Sequence, residues 1–210
     1  MSATRAPGRP PAASKPAGIS TQRPRRRRAK HSQPPASATP LRCVVLAVDT
    51  AARSGWAAIV GPERYLGFGE ADTLDVASLR YIVDWADCHA TLLGLPLVLV
   101  LEAPFGGNMT MLMGLGAARE RWLAAWRWLD MPQHRVVYVQ PSEWRCKVLG
   151  KRWARAPREE VRPHEQATAG AIVGERVRGD EAAAILIAKW GLRAAKVEWA
   201  IRHGRDARYT

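Results

Sequence analysis

The chain has 210 residues and carries 32 Lys and Arg against 19 Asp and Glu, which gives a formal net charge of +13. This length accommodates one domain with its own hydrophobic core. The three cysteines include no Cys-x-x-Cys pair, which argues against a disulfide framework or a zinc site and fits a reducing compartment. The longest apolar run, around Leu92–Leu101, is interrupted by Gly94 and Pro96 and is too short to span a bilayer, so we expect no membrane partner.

Residues 1–40 differ in composition from the rest of the chain. They contain nine Lys or Arg, no Asp or Glu, and eight of the fifteen prolines. Such a segment buries too little apolar surface to offset the entropy lost on ordering, so we predict a disordered basic tail followed by a folded domain over 41–210. The tail accounts for +9 of the charge, which leaves 23 basic against 19 acidic residues, or +4, in the domain.

The densest positive charge in the tail is the run Arg25, Arg26, Arg27 and Arg28. A run of this kind binds polyanions, and we predict that it contacts nucleic acid. An anionic membrane surface, a purely solubilising leader and an organelle transit peptide are the alternatives. We therefore expect a cytoplasmic or nucleoid protein, with organelle targeting as the minority interpretation.

Apolar and β-branched runs predict five strands, three in succession and two that alternate with helices. The predicted strands span Cys43–Val48, Gly55–Val60, Arg64–Gly69, Leu97–Leu101 and Arg135–Val139. Helical periodicity and prolines at first turns predict the helices. These are Val76–Leu93, Met111–Leu129, Pro141–Val148, Pro163–Arg176 and a core helix that begins at Asp180. Three meandering strands followed by β/α alternation imply an α/β fold with a mixed sheet covered on both faces.

Three acidic residues stand out by their position in this pattern. Asp49 ends the first strand, Glu102 ends the fourth, and Asp180 opens the core helix. If the first and fourth strands are parallel neighbours, Asp49 and Glu102 emerge at one edge of the sheet, where ligands bind in such folds. Crowded carboxylates repel each other, and a hard divalent cation such as Mg²⁺ or Mn²⁺ relieves that repulsion. The alternatives are a turn role for Asp49 and an N-cap role for Asp180.

The segments around these acids resemble RuvC-type Holliday junction resolvases, particularly the phage-like branch. The matching stretches are Val44–Val60, Leu97–Phe105, Val136–Gly150 and Gly179–Gly191. The resemblance implies an RNase H-like fold with a mixed five-stranded sheet. It also implies a homodimeric endonuclease that cuts branched DNA, with two divalent ions held by Asp49, Glu102 and Asp180.

The resemblance also implies roles for residues around the acids. Phe105 occupies a position where the family places an aromatic against bases at the junction centre, although it could instead be a core residue. Gly55 lies close to the site, in the turn that joins the first two strands. His164 falls where many members carry a lysine near the scissile phosphate, and Arg162 or Lys151 could compensate for it.

One departure concerns the metal ligands. The family commonly has a fourth acid three residues after the third, and here that position is Ala183. Glu181 is the possible substitute, but it would point about 100° away around the helix. The metal stoichiometry is therefore open at this level.

Basic and aromatic residues alternate between the fifth strand and the core helix, which suits contacts with phosphates. The basic members with a predicted DNA role are Lys147, Lys151, Arg152 and Arg155, and the same stretch includes Arg158, Trp144 and Trp153. An ordinary solvated loop is the alternative. The tryptophan-rich helix Met111–Leu129 is the candidate dimer interface, although Trp122 and Trp126 could be core residues.

Three other functions remain as alternatives. One is another nuclease on the same fold, acting on RNA or on other branched DNA. A second is an inactive nucleic-acid-binding homologue, which the alanine at position 183 brings into consideration. The third is an actin-like ATPase, which would need glycine-rich phosphate loops; the segment Thr50–Gly55 is not one.

Overall fold

A computed structural model describes residues 41–61, 64–103, 107–132 and 135–206. The predicted tail, with its arginine run, and Phe105 lie outside the described residues. No helix in the described ranges is long and apolar enough to cross a membrane.

The core of the domain is one five-stranded sheet in the order β3-β2-β1-β4-β5. Strands β1 to β3 form an antiparallel meander, and β1, β4 and β5 run parallel. The strands span β1 Val44–Asp49, β2 Arg53–Val60, β3 Arg64–Asp72, β4 Leu97–Glu102 and β5 Val136–Val139. The predicted α/β class and the mixed five-stranded sheet are confirmed.

Six helices and a 3-10 turn over Lys151–Trp153 complete the described chain. They are α1 Val76–Leu92, α2 Met109–Trp128, α3 Pro141–Val148, α4 Arg158–Val173, α5 Gly179–Gly191 and α6 Ala195–Asp206.

Helices cover both faces of the sheet. Strand β1 is apolar at every position before Asp49, so both of its faces need to be buried. Val44, Leu46 and Val48 face α1 and the second half of α2, whereas the alternating residues Val45 and Ala47 face α5. This alternation is what a strand buried on both sides requires. The central position of β1 fixes where its last residue, Asp49, emerges.

The predicted boundaries of one helix are wrong. Pro163 was expected to open a helix that runs to Arg176, with a basic loop before it; instead α4 begins at Arg158 and contains Pro163. Pro157 at the N-cap and two acids in the first turn, Glu159 and Glu160, favour the earlier start, since negative charge stabilises a helix N-terminus. The difference matters because it places Arg158 on a helix, one turn before Arg162.

Smaller differences lie at the ends of other elements. Strand β3 continues three residues beyond Gly69, and α6 was not among the predicted helices. Trp122 and Trp126 of α2 are fully buried and therefore belong to the core, while Trp128 is exposed beneath the Arg80 guanidinium. The first half of α2 contributes no buried residue before Ala118.

Candidate metal and phosphate site

The acidic centre lies at the carboxyl ends of two neighbouring parallel strands. Val48 of β1 pairs with Leu101 of β4, so the next residues, Asp49 and Glu102, lie side by side. Asp49 is 8% exposed and Glu102 is half-buried. The prediction that these two carboxylates share one edge of the sheet is confirmed.

The pKa of Asp49 is shifted by its burial and by the charged groups around it. Burial, the charge of Glu102 and a hydrogen bond with the Glu102 side chain raise the pKa of Asp49 well above its usual value. The charge of Asp180 raises the same pKa further, and Arg158 opposes it. Like charges that share a partly dry site favour a proton or a metal ion between them. The other two acids singled out in the sequence, Glu102 and Asp180, therefore both act on Asp49 in the fold.

Asp180 is held by two arginines of α4. Its Oδ1 accepts hydrogen bonds from Arg158, at 3.1 Å, and from Arg162, at 3.4 Å. The two arginines lie four residues apart on one helix face and remain about half exposed, whereas the Asp180 side chain is 20% exposed. Two partly exposed guanidiniums therefore lie at the third acid, accessible to solvent and to any phosphate that approaches it.

Two glycines allow the first turn of α5 to approach its neighbours. A Cβ at Gly55 would lie 1.9 Å from the Asp180 carbonyl oxygen, so only glycine permits this contact between β2 and α5. A Cβ at Gly179 would lie 2.1 Å from Nε of Arg162, so the guanidinium rests against bare backbone there. The expected proximity of Gly55 to the site thus has a steric cause.

Glu102 is oriented by groups on both of its sides. The indole N–H of Trp144, a fully buried residue of α3, donates to Oε1 of Glu102 at 2.7 Å. The Thr50 hydroxyl donates to the Glu102 backbone carbonyl at 2.8 Å. The first contact fixes one carboxylate oxygen, and the second ties the end of β4 to the residue that follows β1.

A buried ion pair lies behind the site. Nε of Arg145, on α3, donates to Oε1 of Glu165, on α4, at 2.8 Å, and Glu165 is 4% exposed. Burial raises the pKa of Glu165, Arg145 opposes that rise, and the charge of Asp49 adds to it. The charge of the acidic centre therefore acts on the pKa of Glu165, although the ion-pair partner of Glu165 is Arg145. The pair connects α3 to α4 and fixes the helix that carries Arg158 and Arg162.

The remaining predicted residues divide by position. Glu181 accepts a hydrogen bond from the backbone N–H of Arg178 at 2.8 Å, which is a capping contact at the start of α5. Ala183, where the family commonly has a fourth acid, is buried in the core. Three of the predicted basic residues, Lys147, Lys151 and Arg155, are exposed on the surface between α3 and α4.

Arg152 and His164 belong to an aromatic stack on that surface. The Arg152 guanidinium lies 4.5 Å from the centre of the Trp153 ring, and Trp153 stacks on His164 with their ring centres 4.6 Å apart. His164 is half-buried in this stack, so the side chain at the expected lysine position is engaged by an aromatic ring. Arg162, rather than His164, reaches the acidic centre.

The donor set fits a hard divalent cation. Within the described residues, no three His, Cys, Asp or Glu side chains are already arranged around one metal position. Asp49 and Glu102 nevertheless present crowded carboxylate oxygens, and Asp180 forms ion pairs with two arginines that are about half exposed. Oxygen-only ligands of this kind select Mg²⁺ or Mn²⁺ over softer metals. Asp49, Glu102 and Asp180 are therefore the residues that would hold such an ion.

Sequence reasoning missed several residues of this site. Trp144 and Arg158 were considered only as parts of a basic, aromatic surface, and Arg145 and Glu165 had no assigned role. The pairs Trp144–Glu102 and Arg145–Glu165 are separated by 42 and 20 residues in the chain. The only available signal was the helical spacing of Arg158, Arg162 and Glu165, which the proline at 163 concealed.

Comparison with solved structures identifies the fold. No protein-family model matches the sequence, and no curated protein matches it. RuvC of Thermus thermophilus, in complex with a Holliday junction substrate, is similar with a TM-score of 0.53 and 15% identity over 75% of this chain and 95% of that one. A second Thermus thermophilus RuvC structure gives a TM-score of 0.51 and 20% identity over 77% of this chain and 96% of that one. The described chain therefore has the fold of the RuvC Holliday junction resolvases.

Proposed function

We propose that this protein is a metal-dependent, structure-selective endodeoxyribonuclease that resolves four-way DNA junctions. One observation carries the proposal: on a RuvC fold, Asp49 and Glu102 lie side by side at the carboxyl ends of β1 and β4, and the charges of Glu102 and Asp180 both raise the pKa of Asp49. A structurally similar RuvC is bound to a Holliday junction substrate, which supports branched DNA as the partner. The same edge binds ligands in open α/β sheets generally.

Asp49, Glu102 and Asp180 would hold two Mg²⁺ or Mn²⁺ ions. When bound, such ions activate a water molecule and stabilise the leaving oxygen in phosphodiester hydrolysis. The chain itself contributes the orientation of the acids. Trp144 fixes one oxygen of Glu102, and the absence of a side chain at Gly55 lets the backbone of Asp180 lie directly against β2. The raised pKa of Asp49 means that metal binding competes with a proton.

Arg158 and Arg162 would bind the phosphate that is cleaved. Both guanidiniums already face a carboxylate oxygen of the centre, and both remain about half exposed. Arginine presents a planar array of N–H donors that matches phosphate oxygens. Exposed Lys147, Lys151, Arg152 and Arg155 would extend phosphate contact along the surface between α3 and α4.

The protein would act as a homodimer through the first half of α2. This half carries Met109, Met111 and Met113, all exposed, and begins seven residues after Glu102. Exposed apolar surface of this kind marks an interaction site, and a twofold dimer supplies two equal centres for two symmetric cuts. Size measurement by light scattering would give a monomer if α2 is not an interface.

Cleavage of a synthetic four-way junction tests the proposal. Wild type should make paired, symmetric nicks with Mg²⁺ or Mn²⁺ and none with a chelator, and linear duplex should be cut far less. Asp49→Asn and Glu102→Gln should each lose cleavage while they keep junction binding, because each change removes a metal ligand and also reduces repulsion of phosphate.

Two outcomes would contradict this function. Near wild-type cutting by either variant would remove the acids from the reaction. Junction binding without cleavage in any metal would indicate a binding protein with a degenerate centre, and the buried alanine at position 183 would then be the first residue to replace with Asp.

A further inference from the structure

Two exposed arginines share one largely buried carboxylate beside the acidic centre. Arg53 Nε lies 3.3 Å from Oε2 of Glu70, and Arg178 Nη1 lies 3.8 Å from the same oxygen. The side chains of Arg53 and Arg178 are 73% and 75% exposed, whereas that of Glu70 is 16% exposed. The arginines come from different elements, since one starts β2 and the other immediately precedes α5.

The register of the sheet locates this group relative to the acids. Asp49 of β1 pairs with Gly55 of β2, and Gly55 pairs with Glu70 of β3. These three residues form one row across the sheet, and neighbouring strands are about 4.8 Å apart, so Glu70 lies roughly 10 Å from Asp49 along the backbone. Arg178 is two residues before Asp180. The group therefore flanks the acidic centre on the β2–β3 side.

Arg158 and Arg162 reach the centre from a different element. They lie on helix α4, which packs against α5, whereas Arg53 lies on the sheet. Basic side chains thus flank the acidic centre on the β2–β3 side as well as on the α4 side. A DNA strand carries charge along its whole backbone, and an enzyme that cuts it contacts phosphates beyond the scissile one.

The charge balance of the group favours an anionic ligand. Within the described ranges, Glu70 is the only carboxylate in an ion pair with either Arg53 or Arg178. One carboxylate does not neutralise two guanidiniums, and each guanidinium has five N–H donors, of which Glu70 engages few. The shared carboxylate also restrains two long side chains, so less conformational entropy is lost when they bind a phosphate.

We propose that Arg53, Glu70 and Arg178 form a second phosphate-binding point, which contacts the DNA backbone beside the cleavage centre. Arg53 and Arg178 donate to phosphate oxygens, and Glu70 holds both guanidiniums in place. This inference rests on the proposed function, in that the ligand is the DNA that the centre would cut.

The first test removes the two positive charges and compares them with two matched charges elsewhere. Arg53→Ala/Arg178→Ala is measured against Arg42→Ala/Arg64→Ala, whose arginines are exposed near the other ends of β1 and β3, away from Asp49 and Glu70. Binding of a four-way junction is titrated with a chelator present, over a range of salt concentrations. The loss of two phosphate contacts should weaken binding and reduce the slope of log K against log salt by about 1.8. The control pair should leave that slope near the wild-type value.

The second test separates specific placement from general attraction. Glu70→Gln adds one positive charge to the surface but removes the carboxylate that holds the arginines. General attraction would then tighten binding, whereas placement by Glu70 requires weaker binding. Thermal unfolding of each variant shows whether the fold is retained.

The outcomes distinguish this inference from the proposed function. A salt slope for Arg53→Ala/Arg178→Ala equal to that of the control pair would overturn the inference, and so would tighter binding by Glu70→Gln. The proposed function would survive either result if wild type still cuts the junction. Wild type that binds no DNA at any salt concentration would overturn both.

Discussion

Replacing Trp144 with Phe tests whether the orientation of Glu102 controls metal affinity. The substitution keeps an aromatic ring in a fully buried position and deletes the N–H that donates to Oε1 of Glu102 at 2.7 Å. A hydrogen bond to a charged group contributes about 1.5–3 kcal/mol. Since about 1.4 kcal/mol corresponds to a tenfold change in an equilibrium constant, metal affinity should fall about ten- to a hundredfold. This range agrees with the loss of about 10–100-fold that follows removal of a residue supporting a metal ligand.

The assay is a calorimetric titration of Mn²⁺ into the free protein, followed by junction cleavage as a function of metal concentration. Trp144→Phe should need more metal for half-maximal cleavage, and saturating metal should restore part of the rate. Trp190→Phe is the matched control, because Trp190 belongs to the same hydrophobic cluster but lies at the other end of α5, about 15 Å along the helix from Asp180. The thermal midpoint of each variant shows how much stability is lost because phenylalanine fills less of the buried space than tryptophan.

Two results would refute this reasoning. Unchanged metal affinity in Trp144→Phe would mean that Glu102 is oriented without the indole. An equal loss of affinity in Trp144→Phe and Trp190→Phe would assign the effect to packing of the core.

Three further predictions concern stability and packing. Asp49→Asn should raise the thermal midpoint of the metal-free protein at pH 7. The raised pKa of Asp49 means that its protonated form stabilises the fold in acid and that this stability is lost as pH rises through that pKa, whereas Asn stays neutral. The gain should therefore shrink toward pH 4. Gly55→Ala should destabilise the fold by about 1–3 kcal/mol and weaken metal binding, since the new Cβ meets the Asp180 backbone. Trp126→Phe should cost about 1 kcal/mol more than Trp122→Phe in chemical denaturation, because the Trp126 indole N–H bonds a backbone carbonyl, whereas that of Trp122 has no partner among the described residues.

Each of these predictions has a contradicting result. A gain in the Asp49→Asn midpoint that does not depend on pH would separate it from the ionisation of that carboxyl group. A Gly55→Ala protein with wild-type stability and metal affinity would mean that α5 moves away without consequence. Equal costs at the two tryptophans would mean that the hydrogen bond of Trp126 contributes nothing to stability.

The sequence predicted the parts of the fold that depend on periodicity and on strand ends. Five strands and the parallel pairing of β1 with β4 follow from apolar runs that end at Asp49 and Glu102, because burial on both faces leaves few alternatives. The three acids could be found in this way, since each lies at the end or the start of an element. Helix α4 was misread because a proline was taken as a helix start, although a proline also occurs inside the helix at a cost in hydrogen bonding.

Contacts between distant segments could not be predicted in the same way. The bond from Trp144 to Glu102 and the group formed by Arg53, Glu70 and Arg178 depend on which side chains meet after the sheet has formed. No local pattern encodes such a meeting, because the partners lie on different elements. The proximity of Gly55 to the site was expected from the family resemblance, and the structure supplies the reason: a β-carbon at this position would collide with the backbone of Asp180.

The proline inside α4 has a consequence for how the site adapts to its substrate. Pro163 has no amide hydrogen, so the helical bond to the carbonyl of residue 159 is not made, and the turn that carries Arg158 and Arg162 is tethered by fewer bonds than the rest of the helix. Beyond the proline, Glu165 is anchored by Arg145. The turn that carries Arg158 and Arg162 therefore has fewer backbone hydrogen bonds than the rest of α4, whereas Asp49 and Glu102 end strands of the central sheet. If the proposed function is right, we expect these arginines to adjust to a bound phosphate more readily than the two strand-end acids do.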